Sequence, residues 1–486
     1  MDVRPREFVW NISVHHPSLC SFAWTDGRSM HWSRHDDIIG EGRPGVGIFN
    51  KPKSKSGMRL PTPCRVYAIG LLTIGLMACV HTPSTVRPRH KINYWEALAE
   101  LHPAEAIAAA HNPSEKEFAE SLRDLMAGDL EKAEAGFGEL RRTATDSIIR
   151  AGSRVIYTAT LQYQEKWETL AGLRNEPSQP RADRTDRASI ELWAAAFRNI
   201  PPKTFTFRTQ SVVLPMSVSA VGTPLIPVRI GAQVYNFWLD TGSSMTMLAS
   251  DVASSLKIVP LVSDTLEIVT STGRVSAQPS LIPQLQIGQL VVRNAPTMIV
   301  DESMMQMREP KLIDQGPQVK IDGIIGFDII RQLDLEVDYS ESTLHLRNPA
   351  TSRPESDRNM FWVGLPVVRL TSSDGVALHF GLDTGAQLTF VTETLLDKLQ
   401  LRAARVESRR VGGLGGEISL RAPVLPDLRV LVRDFPLLFR GAVVRAPVYQ
   451  VLASLDGVLG GDIWHSGIVR IDITNGVFAV RRPRFP

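Results

Sequence analysis

The spacing of apolar residues changes near Thr204. Before this point, runs that include Trp95 and Phe118 place apolar residues three or four positions apart, which predicts amphipathic helices. Beyond it, apolar residues alternate with polar ones or form short blocks bounded by Gly, Pro and Asp, which predicts β-strands. We therefore expect a small helical domain over 94–173, a linker with a short helix over 174–203, and a mostly β region after it.

The β region contains the same pattern twice. Phe237–Ser243 (Phe-Trp-Leu-Asp-Thr-Gly-Ser) returns as Phe380–Ala386 (Phe-Gly-Leu-Asp-Thr-Gly-Ala), and Ile321–Gly326 returns as Leu455–Gly460. Each Asp of the first pair follows an apolar run that is typical of a strand, and the Thr-Gly after it suits a tight loop that presents the carboxylate at the strand end. The chain therefore carries two copies of one fold, in which two such strand ends can face each other.

An Asp-Thr-Gly loop followed further along by two apolar residues and a Gly resembles the aspartic proteases. Two such units in one chain resemble retropepsin-like halves joined as in the bilobal pepsin-like enzymes. The resemblance implies a mostly β, two-lobed acid-protease fold preceded by a small α-helical domain. The first lobe is expected over 204–350 and the second over 351–486, with Asp240 and Asp383 as the catalytic pair in the cleft between them.

By the same resemblance, the loop residues around the two aspartates support the pair: Thr241, Gly242, Ser243, Thr384, Gly385 and Ala386. The two threonines are expected to hydrogen-bond across the lobe interface, and the two glycines to allow close approach of the backbone. The carboxylates that flank the apolar-apolar-Gly motifs are expected to be structural: Asp322, Asp328, Asp456 and Asp462.

A carboxylate pair of this kind carries its own chemistry. Because two like charges so close cannot both ionise, the pair holds one proton between them over a wide pH range. One carboxylate then acts as general base on a water, and the other donates its proton to the developing oxyanion. This chemistry requires no cofactor and no metal, and its substrate is a peptide or protein.

The two loops differ in one hydroxyl. Ser243 follows the first Gly, whereas Ala386 follows the second. If Ser243 donates to Asp240, the pKa of Asp240 falls. We therefore expect Asp240 to be the base and Asp383 the protonated partner.

Two glycine-containing stretches are candidates for flaps over the substrate. Thr272 and Gly273 follow the first catalytic loop, and Gly412 and Gly413 follow the second. Both copies are expected to supply a flap, as in retroviral dimers, although neither stretch carries the tyrosine of the pepsin-like flap. The alternative is that both are connecting turns.

Residues 58–78 have the layout of a bacterial secretory signal peptide. Arg59 and Arg65 precede an apolar run over 66–78. The sequence Leu-Met-Ala-Cys at 76–79 resembles a lipobox, the motif after which lipoprotein signal peptides are cleaved and the cysteine is lipidated.

The lipobox resemblance implies that Cys79 carries a lipid anchor, that 79–93 is a tether, and that the protein lies at the bacterial cell envelope and faces the periplasm. The alternative is a buried helix or a membrane anchor, although the apolar run is shorter than the roughly 20 residues that span a bilayer. Because a signal peptide stands at the start of a translated chain, we expect Met58 to be the initiator and residues 1–57 to be a mis-assigned extension.

Composition removes several function classes. The 486 residues carry a net charge of +3, from 54 basic and 51 acidic side chains, which gives no reason to expect a nucleic-acid partner. The three cysteines are Cys20, Cys64 and Cys79, so the β region has no thiol nucleophile and no cysteine metal site.

Two other functions compete with that of an aspartic endopeptidase. The cleft could belong to a non-catalytic peptide-binding module, or the lobes could process only the chain itself while the helical region recruits a protein partner. Ala127–Leu130 followed by Ala133 and Phe137 resembles half of a tetratricopeptide-type helical pair, although a plain packing role is equally open. The two complete Asp-Thr-Gly loops favour the enzyme, because a binder has no need to hold two carboxylates in repulsive proximity.

Overall fold

The computed structural model describes residues 10–12, 22–24, 93–175, 190–219, 222–270, 272–310, 315–351, 358–403, 405–446 and 453–482. The predicted signal peptide and Cys79 lie outside these residues. Only two short strands of the predicted extension are described, and only Asn93 of the predicted tether. No helix among the described residues is long and apolar enough to cross a membrane.

Helices dominate the described chain before the β region. They are α1 (Tyr94–Ala99), α2 (Pro103–Ala109), α3 (Pro113–Ala127), α4 (Leu130–Thr143), α5 (Ser147–Tyr163), α6 (Trp167–Gly172) and α7 (Ile190–Phe197). Three more helices lie within the lobes: α8 (Ser250–Ser255), α9 (Phe327–Ile330) and α10 (Glu393–Leu399). Short 3₁₀ turns cover Leu173–Asn175, Pro349–Thr351 and Gly461–Ser466.

Local signals set the ends of the longer helices. The Asn112 side chain accepts a hydrogen bond from the Glu115 amide (2.9 Å) at the start of α3, which satisfies one of the free N–H groups of the first turn. Gly128 ends α3 in the left-handed region, with φ of +84°, a conformation that glycine adopts without strain. The Phe118 and Phe137 rings of α3 and α4 then pack edge to face at 5.3 Å.

Strands fill the rest of the described chain. Those of the N-terminal part and first lobe are β1 (Trp10–Ile12), β2 (Phe22–Trp24), β3 (Thr204–Phe207), β4 (Ser211–Pro215), β5 (Ser217–Val218), β6 (Pro224–Ile230), β7 (Gln233–Leu239), β8 (Thr246–Ala249), β9 (Leu266–Val269), β10 (Arg274–Ile287), β11 (Leu290–Val300), β12 (Gln306–Pro310), β13 (Gln315–Lys320), β14 (Gly323–Ile325), β15 (Asp334–Asp338) and β16 (Thr343–Arg347). Those of the second lobe are β17 (Met360–Trp362), β18 (Pro366–Ser372), β19 (Ala377–Leu382), β20 (Phe390–Val391), β21 (Arg405–Gly413), β22 (Gly416–Val432), β23 (Phe435–Val444), β24 (Gly457–Leu459), β25 (Ile468–Asp472) and β26 (Val477–Arg481).

Both lobes use the same sheet topology around the catalytic loop. The first-lobe sheet runs β3-β11-β8-β14-β7-β6-β10-β9, and the second runs β17-β18-β19-β24-β20-β23-β22-β21. The buried motif strand β14 pairs parallel with β7 and antiparallel with β8, and β24 pairs in the same way with β19 and β20. The duplication in the sequence is therefore a duplication of strand order, and the two-lobed, mostly β fold with a preceding helical region is confirmed.

A third sheet joins the two lobes. Its order is β26-β25-β15-β16-β4, and the pairing of β15 with β25 crosses from one lobe to the other. Asp334 of β15 is fully buried and accepts hydrogen bonds from Arg470 of β25 (2.8 and 3.0 Å) and Arg347 of β16 (3.0 Å). Because a buried carboxylate needs such partners, this cluster fixes how the lobes meet.

Candidate active site

The two aspartates lie at equivalent strand ends. β7 ends at Leu239 and β19 ends at Leu382, both buried, and Asp240 and Asp383 follow directly. The Asp240 amide donates to the Ile325 carbonyl (3.1 Å), and the Asp383 amide donates to the Leu459 carbonyl (3.0 Å). The apolar-apolar-Gly motifs therefore hold the catalytic loops from beneath.

Two threonines lock the loops across the lobe interface. The Thr241 amide donates to Thr384 Oγ1 and the Thr384 amide donates to Thr241 Oγ1, each at 3.0 Å. Thr241 Oγ1 donates in turn to the Leu382 carbonyl (2.8 Å), and Thr384 Oγ1 donates to the Leu239 carbonyl (2.9 Å). Both threonines are at most 2% exposed, so these four bonds form without competition from water.

The glycines after the threonines allow the carboxylates to meet. A Cβ atom on Gly242 would stand 2.4 Å from Asp383 Oδ1, and one on Gly385 would stand 2.4 Å from Asp240 Cγ. No side chain fits at either position without separating the loops. Each glycine thus packs directly against the carboxylate of the opposite lobe.

The paired carboxyl groups affect each other's ionisation. Asp383 is 6% exposed and Asp240 is half-buried at the cleft. Burial first, and then the charge of Asp383, raise the pKa of Asp240 to about 8, although the amides of Gly242 and Ser243 favour the ionised form. The pair therefore retains a shared proton through the neutral range.

Ser243 does not donate to Asp240, so that expectation is wrong. Its Oγ donates to the Met245 carbonyl (2.7 Å), which closes a local turn of the kind that serine often forms. Asp240 Oδ1 instead accepts the amides of Gly242 (2.8 Å) and Ser243 (3.2 Å). The hydroxyl therefore gives no reason to assign Asp240 as the base.

The second loop offers its carboxylate the same pair of donors. Asp383 Oδ1 accepts the amides of Gly385 (3.1 Å) and Ala386 (3.0 Å). The backbone of each loop therefore stabilises its carboxylate in the same way. The difference between serine and alanine at this position leaves the backbone bonds to the pair untouched.

We expect Ser243→Ala to leave both limbs of the pH-rate profile in place, because the lost hydroxyl bonds Met245 rather than the pair. A lost bond to the charged carboxylate, worth about 1 kcal/mol, would instead move the acid limb upward by up to about one pH unit. Initial rates across the pH range, with Ala386→Ser as the converse variant, measure this. A clear upward shift for Ser243→Ala would contradict the geometry described above.

Two threonines that the sequence reasoning missed support the motif strands. Thr246 Oγ1 donates to Asp328 Oδ1 (2.9 Å), and Thr389 Oγ1 donates to Asp462 Oδ1 (2.7 Å). Each hydroxyl also accepts the amide of the last glycine of the motif. Each threonine stands six residues after the Asp of its loop, so the sequence repeat of the two copies includes this position.

The other two flanking carboxylates bind the strands that lead to the catalytic loops. Asp322 accepts the amide of Asn236 (3.0 Å), and Asp456 accepts the amide of His379 (2.7 Å). Burial raises the pKa of Asp456, which Lys398 opposes. All four flanking aspartates thus bond to backbone or side-chain donors in the frame beneath the site.

The candidate flaps are two hairpin tips that touch each other. Thr272 and Gly273 lie at the turn between β9 and β10, and Gly412 and Gly413 end β21 just before its turn into β22. Thr272 Oγ1 donates to the Leu414 carbonyl (2.6 Å). Both hairpins therefore contribute to one cover, and both line the cavity that contains the aspartates.

The cleft holds two cavities, one on each side of the pair. One of about 160 Å³ lies toward the second lobe, between Asp240, Asp383 and the tip residues Gly412 to Leu414, and three arginines also line it: Arg409, Arg410 and Arg445. One of about 340 Å³ lies toward the first lobe, against Gly242 and Ser243. The sequence reasoning did not find these lining residues, because they come from distant segments.

No group of His, Cys, Asp and Glu that could hold a metal ion occurs in the part of the chain that the structure describes. Each of the two paired carboxyls accepts hydrogen bonds from its own loop amides and lies against the opposite loop. The chemistry that this arrangement supports is proton transfer to and from a small molecule between the carboxyls.

Both lobes match the same protein-family model. Two segments, 226–329 and 368–463, match the family model described as Aspartyl protease. The first segment contains Asp240 and the second contains Asp383, so each lobe carries one match. Both lobes are therefore similar in sequence to aspartyl proteases.

Solved structures similar to the chain include the aspartic proteinase from Irpex lacteus, at 12% identity and a TM-score of 0.33, covering 55% of this chain and 95% of that one. They also include a retropepsin-like aspartic protease from Rickettsia conorii, at 16% identity and a TM-score of 0.19, covering 30% of this chain and 94% of that one. None of the curated proteins matches the chain.

Proposed function

We propose that the protein is an aspartic endopeptidase that hydrolyses peptide bonds with a water held between Asp240 and Asp383. The observation that carries this proposal is the pairing of the two carboxyls, each packed against the glycine of the opposite loop. A water between them has a base on one side and an acid on the other. The flap hairpins cover the place where an extended peptide would lie.

The reaction follows from the shared proton. The ionised carboxylate takes a proton from the water, whose oxygen attacks the peptide carbonyl carbon, while the protonated carboxyl gives its proton to the carbonyl oxygen. Collapse of the tetrahedral intermediate breaks the C–N bond. The amine leaves with the proton that the base took from the water. A hydroxyl of the intermediate returns its proton to the other carboxylate as the C=O bond reforms, so the pair is again singly protonated. No covalent enzyme intermediate forms.

The rival function is that of a non-catalytic peptide-binding module that uses the same cleft. Holding the two carboxyls together at the cleft destabilises the fold at neutral pH, because it raises the pKa of Asp240. Peptide binding gains nothing from this arrangement, whereas general acid-base catalysis needs it.

Digestion of a peptide library by the full chain, with and without a pepstatin-type inhibitor, separates the two functions. The endopeptidase produces internal cleavages that the inhibitor suppresses. Retention of peptides without any new termini would support the binding module instead. Peptide fragments identified by mass spectrometry give the readout.

For the N-terminal part, we propose a lipid-anchored protein at the bacterial cell envelope that faces the periplasm. The support is the basic and apolar pattern of residues 58–78 before Cys79. Lipidation of Cys79 would keep the site close to envelope proteins if more than one acyl chain inserts, because a single chain binds a membrane only reversibly.

Cys79→Ala is expected to abolish acyl labelling and to move the protein from the membrane fraction to the soluble fraction, because the variant has no thiol at the lipobox position. Metabolic labelling with a fatty-acid analogue, followed by fractionation, measures both. Cys64→Ala is the matched control and should keep label and location. Membrane association of Cys79→Ala without label would show an uncleaved apolar anchor instead.

A further inference from the structure

The cavity on the first-lobe side of the aspartates is not enclosed by the two lobes alone. Its volume is about 340 Å³, and it borders Gly242 and Ser243, which directly follow Asp240. Four of its lining residues come from the helical region: Ala159, Gln162 and Tyr163 at the end of α5, and Trp193 of α7. The helices thus form part of the wall of the cleft.

Tyr163 places this wall against both lobes. Its ring packs against Trp362 of the second lobe, with centroids 4.4 Å apart, and lies 6.2 Å from the ring of Phe327 of the first lobe. The Arg331 guanidinium lies over the Tyr163 ring, with its central carbon 4.5 Å from the ring centroid. These aromatic and cation–π contacts restrain the Tyr163 side chain at the wall of the cleft.

A buried ion cluster fixes the turn after α5 to the first lobe. Glu165 pairs with Lys203 (2.6 Å) and with Arg331 (3.0 Å), and these two cations are 3% and 9% exposed at the side chain. Lys203 also pairs with Asp328 (2.8 Å), whose other oxygen binds Thr246. Buried charges that are paired in this way hold one geometry, because breaking any pair leaves a charge without compensation.

The paired charges leave an apolar cavity. Asp328 and Arg331 line it, but their charges are paired within the protein. Most of the other large side chains that line it are apolar or aromatic, among them Met245, Met247, Ile268, Met298, Phe327 and Trp362, and Gln162 is a polar exception. A lining of this kind favours a large apolar or aromatic group.

The cavity on the second-lobe side provides the contrast. It is lined by residues of the two lobes, three of them arginines, and none of its lining residues belongs to the helices. The two lobes are similar, but the helical region lines only one of the two cavities. It therefore adds a wall on one side of the aspartates only.

We propose that the helical region is a specificity element of the active site. With the first lobe, α5 and α7 form a subsite that takes the large apolar or aromatic side chain of a substrate residue on one side of the scissile bond. This inference rests on the proposed endopeptidase activity. It gives the helices a role in substrate choice rather than in recruiting a separate partner.

Filling the cavity from the helix tests the proposal. Ala159→Phe places a ring in the subsite, and Ala151→Phe makes the same change on α5, at a half-buried position outside the cavity lining. The cleavage profile of Ala159→Phe should move from large to small residues at one position. For a peptide with Phe there, kcat/KM should fall by about tenfold or more, mainly through KM. Ala151→Phe should keep the wild-type profile.

Gln162→Ala provides a second variant if circular dichroism shows that Ala159→Phe is unfolded. It shortens a side chain of the same wall and so enlarges the cavity. The cleavage profile should therefore broaden toward the bulkiest substrate residues. Wild-type profiles in folded Ala159→Phe or in Gln162→Ala would overturn the role of the helices while leaving the endopeptidase in place. A wild-type chain that cleaves no peptide would overturn the proposed function, and this inference with it.

Discussion

Asp240→Asn and Asp383→Asn are each expected to lose peptide cleavage almost completely, and the double variant is expected to be no worse than either single one. Each asparagine removes one of the two groups that exchange protons with the water, and general acid-base groups contribute about 10²- to 10⁴-fold each. Because the two carboxyls act as one unit, their losses do not add. Initial rates on one cleaved peptide give the three values.

Asp301→Asn is the matched control for these variants. It removes an exposed carboxylate of the first lobe whose hydrogen bonds are local, to Ser303, and activity should stay at the wild-type level. If the two single losses were instead partial and multiplied in the double variant, each lobe would act independently and the shared site would be wrong.

Asp240→Asn is also expected to make the fold more stable at neutral pH than the wild type. The pKa of Asp240 is about 8 in the folded chain and 3.8 as the reference value. Below the reference value both states are protonated, so ionisation of this carboxyl does not change the free energy of unfolding. Between the two values the unfolded chain releases the proton while the folded chain keeps it, so wild-type stability falls as pH rises.

The size of this effect follows from the same linkage. Each pH unit within the window lowers the free energy of unfolding by about 1.4 kcal/mol at most. The asparagine does not titrate, and its amide oxygen can still accept the loop amides, so the advantage of the variant should grow from pH 4 to pH 8 and then level off. Urea unfolding at several pH values measures it.

Asp301→Asn should behave differently in the same experiment. Hydrogen bonds from Ser303 lower the pKa of Asp301, so this carboxylate favours the folded state once it is ionised, and the variant should gain no stability as pH rises. A stability difference between Asp240→Asn and wild type that stays constant from pH 4 to pH 8 would show that the pair carries no raised pKa.

The catalytic loops could be predicted from the sequence because their chemistry is local. Asp-Thr-Gly after an apolar run specifies a strand, a tight turn and a carboxylate, and its second copy supplies the partner. The cross-lobe bonds of Thr241 and Thr384 follow from that symmetry. The direction of the Ser243 hydroxyl did not follow, because Met245 competes with Asp240 for it at nearly the same sequence distance.

The wall formed by the helices could not be predicted from the sequence. Tyr163 and Trp193 stand in ordinary amphipathic patterns, where an aromatic residue usually indicates a helix core. Their place in the cleft depends on how Glu165 pairs with Lys203 and Arg331, residues that are distant in the chain. No periodicity in the sequence encodes a pairing between separate segments.

Side-by-side digestion of one peptide library by the wild-type chain, Asp240→Asn and Asp383→Asn tests the central claim most directly. We expect the wild type to produce a set of internal cleavages and both variants to produce none of these fragments. The circular dichroism spectra of all three proteins should match. Fragments that persist in either folded variant would contradict a single site built from both aspartates.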